Sequence, residues 1–175
     1  MRVVAGHLRG RRLTAPPGRD TRPTSDRVRE ALFSIVGPLD GARVLDLFAG
    51  SGALGIEALS RGARSATFVE RDARAVAVMR RNLEALRLSD AALHRRDALA
   101  FLRAANATYD LIFLDPPYSC APRLAGPLSA ALPGVLSTDA LIVTESDKRT
   151  PLLLELPLVL ERTYGDTRIA LHRDR

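Results

Sequence analysis

Directly after the apolar run Leu111-Ile112-Phe113-Leu114 comes Asp115-Pro116-Pro117-Tyr118, the tetrapeptide of this chain with the clearest chemical meaning. An amine on an aromatic ring is a poor nucleophile, because its lone pair is delocalised into the ring. Acceptors on its two hydrogens pull the nitrogen toward tetrahedral geometry and aim the lone pair at an electrophile. Asp115 can be one acceptor and the Pro116 carbonyl the other, the two prolines restricting the backbone so that this carbonyl is in place before a substrate arrives. Tyr118 offers a face on which a base that has left its helix or loop can stack. Asp115, Pro116 and Tyr118 are the candidate catalytic residues.

A second constellation lies upstream. Val44-Leu45-Asp46-Leu47-Phe48 runs into Ala49-Gly50-Ser51-Gly52-Ala53-Leu54-Gly55, a literal G-x-G-x-x-G with Glu70 eighteen residues beyond Gly52. The spacing alone describes an NAD site equally well. Asp46 separates the readings: a carboxylate at the mouth of the loop would repel a pyrophosphate, whereas S-adenosylmethionine has no phosphate and carries an ammonium and a sulfonium. Asp46, Ala49, Gly50, Ser51 and Gly52 are thus candidate cofactor contacts, with Glu70 for the two ribose hydroxyls and Arg71 beside it. Asp97-Ala98 follows the third apolar run and offers a carboxylate and a backbone N–H to an adenine, although Asp97 is equally suited to cap the helix after it.

These residues need a sheet to hold them. From Arg43 onward, short runs rich in Val, Ile, Leu and Phe alternate with longer segments of helical periodicity, the βαβ signature of a parallel sheet. Strands are expected at Arg43 to Phe48, Ser65 to Glu70, Ala91 to Arg95, Tyr109 to Leu114, Ala140 to Thr144, Leu158 to Arg162 and Thr167 to Leu171. The last two, joined by Tyr164-Gly165-Asp166, form an antiparallel hairpin. Helices are expected over Gly52 to Arg61, Asp72 to Leu86, Ala98 to Ala104 and Ala121 to Leu132, and Ser25 caps another running to Val36 with Val28, Leu32 and Ile35 buried. Arg2 to Thr14 reads as a small hairpin and the proline-bearing stretch to Thr24 as an extended arm. This gives a Rossmann-like α/β fold with a seven-stranded, mostly parallel sheet, divided into a basic segment 1–24 and a main domain 25–175.

The chain has 175 residues, 46% hydrophobic and 26% charged, which suits a domain with a real core. Its net charge is +6, and residues 1–30 hold eight Arg against Asp20, Asp26 and Glu30, so +5 of that charge sits at one end. Such asymmetry marks a docking surface for an anion, with nucleic acid the usual partner. Arg2, Arg9, Arg11, Arg12, Arg19 and Arg22 are the expected phosphate contacts, against the competing reading of a solvated structural hairpin. Cys120 is alone, and His7, His94 and His172 lack ligand spacing, so no metal site is expected. Each histidine is read as solvent-facing or locally bonded. The stretch from Pro151 to Leu160 is too short and too interrupted to span a membrane, and no signal peptide is seen, so a cytoplasmic location is expected.

Over nearly its whole length the chain resembles the bacterial 16S ribosomal RNA guanine-N2 methyltransferase family of the class I, S-adenosylmethionine-dependent type. The resemblance rests on Arg2-Val3-Val4-Ala5-Gly6 with Gly10-Arg11, Arg22-Pro23-Thr24-Ser25-Asp26-Arg27-Val28-Arg29-Glu30 with Leu32-Phe33, Asp46 to Gly55, Glu70, Asp97, Asp115 to Tyr118 and Tyr164-Gly165-Asp166-Thr167. The glycine loop is shared by all class I methyltransferases and Asp-Pro-Pro-Tyr by amino-methylating enzymes of DNA, so the Arg-Pro-Thr run is the specific element. The resemblance implies that this run closes the cofactor pocket, placing Thr24 near the methionine end. It also implies methylation of a guanine N2 amine in small-subunit ribosomal RNA, free or in an assembly intermediate with ribosomal proteins, with S-adenosylhomocysteine as the product. A monomer is the simplest expectation. The competing readings are an adenine-N6 DNA methyltransferase, which usually needs a recognition domain for which there is no room, an NAD-linked oxidoreductase and a non-catalytic RNA-binding module. Residues 146–157 match no feature of the family.

Overall fold

Alternation of side chains across each strand lets both faces of the sheet carry cores, which is why strands such as Arg43–Leu47 (β1) and Tyr109–Leu114 (β4) are apolar almost throughout. The computed structural model describes residues 1–16 and 25–174; Arg19, Arg22 and Thr24 lie outside the described residues. The other strands are Ser65–Glu70 (β2), Ala91–Arg95 (β3), Leu136–Asp147 (β5), Leu158–Tyr164 (β6) and Thr167–Arg173 (β7). Among the described residues they form one seven-stranded sheet in the order β3-β2-β1-β4-β5-β7-β6. The first five are parallel, and β7 inserts antiparallel between β5 and β6. The expected C-terminal hairpin is therefore present.

Helices Asp26–Val36 (α1), Ala53–Ser60 (α2) and Ala73–Leu86 (α3) share one core with Val44, Leu111 and Phe113. Helices Ala98–Ala104 (α4) and Ala121–Ala131 (α5) share the other with Leu45, Leu47, Ile112 and Leu114. Ser25 caps α1 and Asp72 caps α3 through their side chains, as their residue types favour. The chain winds outward from β1 through β2 to β3 on one side and from β4 to β5 on the other. The crevice beyond the carboxyl ends of β1 and β4 is thus the topological switch point, where ligands of open α/β sheets bind.

Arg2 to Thr14 forms the expected small hairpin, bridged antiparallel at Arg2 and Arg12, with the Val3 N–H donating to the Arg11 carbonyl at 2.9 Å, the Gly10 N–H to the Val3 carbonyl at 2.9 Å and the Leu13 N–H to the Met1 carbonyl at 3.0 Å. Other amides of the segment tie it to α2: Val4 and Ala5 donate to the fully buried Glu57 carboxylate at 2.7 and 2.9 Å, and Leu8 to Ser60 Oγ at 2.9 Å. Val3, Leu8 and Leu13 join the α1/α2/α3 core. Gly6, at φ 80°, lies so close to α2 that an added Cβ would be 1.7 Å from the Ser60 carbonyl oxygen. One expectation needs correction: β5 runs well beyond the expected Ala140 to Thr144, because β7 pairs with Glu145 to Asp147 at one end and Leu136 pairs with Tyr109, across a register shift, at the other. Of the two alternatives for His172 the bonded one holds: it is buried on β7 with Nδ1 3.1 Å from the Leu156 carbonyl oxygen, and burial lowers its pKa.

Residues 148–157, unassigned by sequence, lead from β5 to β6. They place Leu152 and Leu154 in the second core, with Arg168 donating to the Leu152 carbonyl. No helix among the described residues is long and apolar enough to cross a membrane.

Candidate functional site

At the switch point β1 ends in a strained reversal: Phe48 has φ 64°, a conformation an aromatic residue adopts only when its surroundings impose it. Gly50 and Gly52 follow with φ 55° and 81°, and Gly52 forms the left-handed N-cap of α2. The loop, the ends of β2 and β4, and the start of α4 enclose a cleft of about 480 Å³. That is the size range of small-molecule and cofactor sites. Ala49, Gly50, Ser51, Glu70, Arg71, Asp97, Ala98, Asp115, Pro116 and Tyr118 all line it.

Asp46 and Gly52 do not. Asp46 is buried beneath the loop, 2% exposed, with Oδ2 accepting the Gly55 N–H at 3.0 Å. Its neighbours Leu45 and Leu47 point into the opposite core, so strand alternation turns the carboxyl under α2 rather than out at the mouth. Burial pushes its pKa up to about 7, the Gly55 hydrogen bond opposes this, and the Glu70 charge adds to it. Gly52 faces α3, where a Cβ would stand 3.0 Å from Met79 Cγ. The third glycine of the motif is a packing residue, because a Cβ on Gly55 would fall 2.3 Å from Phe68 Cε1.

Glu70, expected to meet ribose hydroxyls, also shapes the loop, accepting the Gly50 N–H at 3.0 Å and the Asp72 N–H at 2.8 Å. Two loop amides that a dinucleotide's pyrophosphate could use are thus taken by carboxylates, Gly50 by Glu70 and Gly55 by Asp46. The case against a phosphate ligand stands on this geometry, not on a carboxylate at the mouth. The cleft fits a phosphate-free nucleoside such as S-adenosylmethionine. Asp97 caps α4 as one of its two readings has it, accepting the Ala100 N–H at 3.0 Å, and it also lines the cleft.

At the β4 side, burial raises the Asp115 pKa well above the usual carboxylate range, and the charges of Glu145 and Asp46 push the same way. Tyr118 is also raised, by burial first and then by Glu145 and Asp115, and its hydroxyl is hydrogen-bonded to Thr167 on β7. The Cys120 N–H closes a turn on the Pro117 carbonyl oxygen at 2.8 Å, holding the two prolines at the end of the strand.

Of the expected RNA contacts, Arg2 pairs with Asp26 at 3.0 Å, and Arg11 donates to the Ala85 carbonyl at 3.1 Å. Arg9 and Arg12 are exposed, and none of the four lines the cleft. Arg29, part of the run that the resemblance sets against the cofactor, also lines it, as do Met1, Arg74, Arg96 and Cys120, which no sequence motif marks; Glu145, whose charge acts on Asp115, carries no motif either. Arg29 carries a readable signal: it shares a helical face with Leu32 and Phe33, where an arginine is out of place. Asn82 links the two regions, its Nδ2 donating to the Thr14 carbonyl at 2.9 Å and the Ser51 carbonyl at 3.0 Å.

A family model described as conserved hypothetical protein 95 matches residues 1–173. YlbH of Bacillus subtilis, provisionally named an rRNA methyltransferase, is 42% identical over 183 aligned positions that cover 100% of both chains. The ribosomal RNA small subunit methyltransferase D of Haemophilus influenzae is 36% identical, covering 99% of this chain and 94% of that protein. Among solved structures, a hypothetical protein of Thermus thermophilus superposes with a TM-score of 0.85 at 33% identity, covering 99% of each chain. By this match and these identities, the chain belongs to the conserved hypothetical protein 95 family and is a relative of the small-subunit ribosomal RNA methyltransferase D proteins.

Proposed function

We propose that the protein methylates the exocyclic N2 amine of a guanine in small-subunit ribosomal RNA, using S-adenosylmethionine. The observation that carries this reading is that Asp115-Pro116-Pro117-Tyr118 lines the same cleft as the glycine loop, Glu70 and Asp97. The names of the relatives support ribosomal RNA as the substrate class.

S-adenosylmethionine supplies an electrophilic methyl group when bound. Ala49, Gly50 and Ser51 would border it, Glu70 and Arg71 would meet the ribose, and Asp97 and Ala98 the adenine; Asp46 acts from below by holding the loop. Thr24 belongs to the methionine end. Tyr118 stacks on the flipped guanine. Asp115 accepts one amine hydrogen and the Pro116 carbonyl the other, so the lone pair points at the methyl group. The positive charge that the nitrogen would gain as the sulfonium loses its methyl group and becomes a neutral thioether is relieved at Asp115, whose carboxylate takes one of the nitrogen's protons. A buried carboxyl with a raised proton affinity is suited to that transfer. Arg2, Arg9, Arg11 and Arg12, with Arg19 and Arg22, grip RNA phosphates.

The test is mass spectrometry of nucleosides from cells lacking the gene. Loss of one N2-methylguanine from small-subunit ribosomal RNA is expected. Loss of N6-methyladenine from DNA, with ribosomal RNA unchanged, overturns the reading in favour of an adenine enzyme.

A further inference from the structure

The exposed face of α3 divides into two flanks, as the helical period of about 3.6 residues requires. Arg80, Glu84 and Arg87 stand on the flank beside β3, where they border a groove with Leu83 and Leu93. Arg74, Arg81 and Ala85 follow one another at intervals of seven and four residues and form a stripe on the other flank. Residues 1–16 pack along this second flank. Arg11 Nη2 donates to the Ala85 carbonyl at 3.1 Å, and the Thr14 N–H donates to Asn82 Oδ1 at 2.9 Å. Arg11 is thus pinned one helical turn beyond Arg81.

The positive charge of this flank is not offset locally. Residues 1–16 contain no acid, and Arg9, Arg12, Arg74 and Arg81 are exposed and join no ion pair among the described residues. Asp72, two residues before Arg74, is committed to the Arg74 and Ala75 amides as the cap of α3, and Glu84 stands on the opposite flank. The stripe also leads to the cleft. Asp72, Arg74 and Ala75 at the start of α3 line it, as do Ala15 and Pro16 of the segment packed alongside. From Arg74 to Ala85 the flank is about 16 Å long at about 1.5 Å per residue, and a stacked strand with a phosphate about every 3.4 Å would set roughly five along it.

We propose that this flank of α3 seats the RNA strand next to the target nucleotide, which leaves the cleft with its phosphates on Arg74, Arg81 and Arg11. The proposal rests on reading the protein as an RNA methyltransferase. Arginine suits the task, because its planar fork binds phosphate oxygens in pairs and it keeps its charge at any working pH. The track joins residues 1–16 to the cleft, so docking of the strand and delivery of the base fall on one face of the molecule. The Arg80 and Arg87 flank, with Glu84 set between its arginines, leads to the edge strand β3 instead.

Salt titrations of affinity for transcribed small-subunit ribosomal RNA test this. Arg81→Ala should flatten the slope of log affinity against log salt by about 0.7 to 0.9, and Arg81→Ala with Arg11→Ala by about twice that. Arg87→Ala, which removes the same charge from the other flank, should change the slope by less than about 0.3. In methyl transfer Arg81→Ala should raise the KM for RNA and leave kcat within about twofold, the mark of a contact made equally in the ground and transition states. Calorimetry with S-adenosylhomocysteine should give all three variants the affinity of wild type, showing that the fold and the cleft are intact. A slope in Arg81→Ala identical to wild type overturns the proposal. Equal flattening in Arg81→Ala and Arg87→Ala also overturns it, since net charge and not a track would then be acting. Wild-type protein that binds S-adenosylhomocysteine but not this RNA removes the substrate reading itself, and the proposal with it.

Discussion

Replacing Asp46 by Asn should stabilise the protein, and by an amount that depends on pH. The carboxyl lies 2% exposed under the glycine loop, and its hydrogen bond from the Gly55 N–H, at 3.0 Å, needs only an acceptor. An asparagine Oδ1 supplies that acceptor without a charge. Burial raises the pKa from 3.8 to about 7. At 1.36 kcal/mol per unit, a shift of about 3 units disfavours the ionised folded form by roughly 4 kcal/mol. Because the folded pKa lies above the unfolded one, the stabilising effect of the neutral carboxyl is fully present below about pH 4. It is lost progressively as pH rises to 7. Near pH 4 wild type and Asp46→Asn should therefore melt together, and at pH 8 the variant should melt roughly 8–16 °C higher, at about 2–4 °C per kcal/mol for a chain of this size. Thermal melts of both proteins between pH 4 and pH 8 measure the difference. An offset of the same size at both ends would refute the reasoning, since Asp46 would then not be titrating in that window.

Asp115→Asn should lower the single-turnover rate of methyl transfer by about 100-fold or more while leaving S-adenosylhomocysteine affinity within about threefold; a rate loss below threefold removes Asp115 from the chemistry. The wild-type rate should fall as pH drops through a pKa well above the usual carboxylate range, because the acceptor must be ionised. Gly55→Ala should destabilise by about 1–3 kcal/mol, read as a lower melting temperature, because its Cβ would stand 2.3 Å from the Phe68 ring. In Glu57→Ala the amides of Val4 and Ala5 and the Arg61 guanidinium lose their acceptor, so limited proteolysis should cut within residues 1–16 far faster than in wild type. Arg9→Ala should flatten the salt dependence of RNA binding by about 0.7 to 0.9 log units, and slopes identical to wild type in both Arg9→Ala and Arg11→Ala would make this segment structural only.

Chemistry that depends on local order was legible in the sequence. Asp115-Pro116-Pro117-Tyr118, the glycine loop, Glu70 and Asp97 each stand at or just beyond the end of a strand, and parallel strands deliver whatever follows them to one edge of the sheet. The Asp97 cap was legible for the same reason, since a capping side chain reaches only three residues along its own chain. The far end of β5 was not, because polar residues such as Ser146 and Asp147 enter a strand only when a neighbouring strand, here β7, pairs with them.

The tertiary structure alone decided what needs a partner distant in sequence. Residues 1–16 are rich in arginine and read as a surface, yet the acceptors on Glu57, Ser60 and Asn82 hold them against α2 and α3 with Val3, Leu8 and Leu13 in the core. Asp46 reads as a ligand contact, yet the packing of α2 over β1 makes it the support beneath the loop. Glu145 carries no motif, and only the pairing of β5 with β4 brings its charge to bear on Asp115. Side-chain types and short-range order are written along the chain. Burial, and with it the free energy of a charge, is a property of the neighbours that folding brings together.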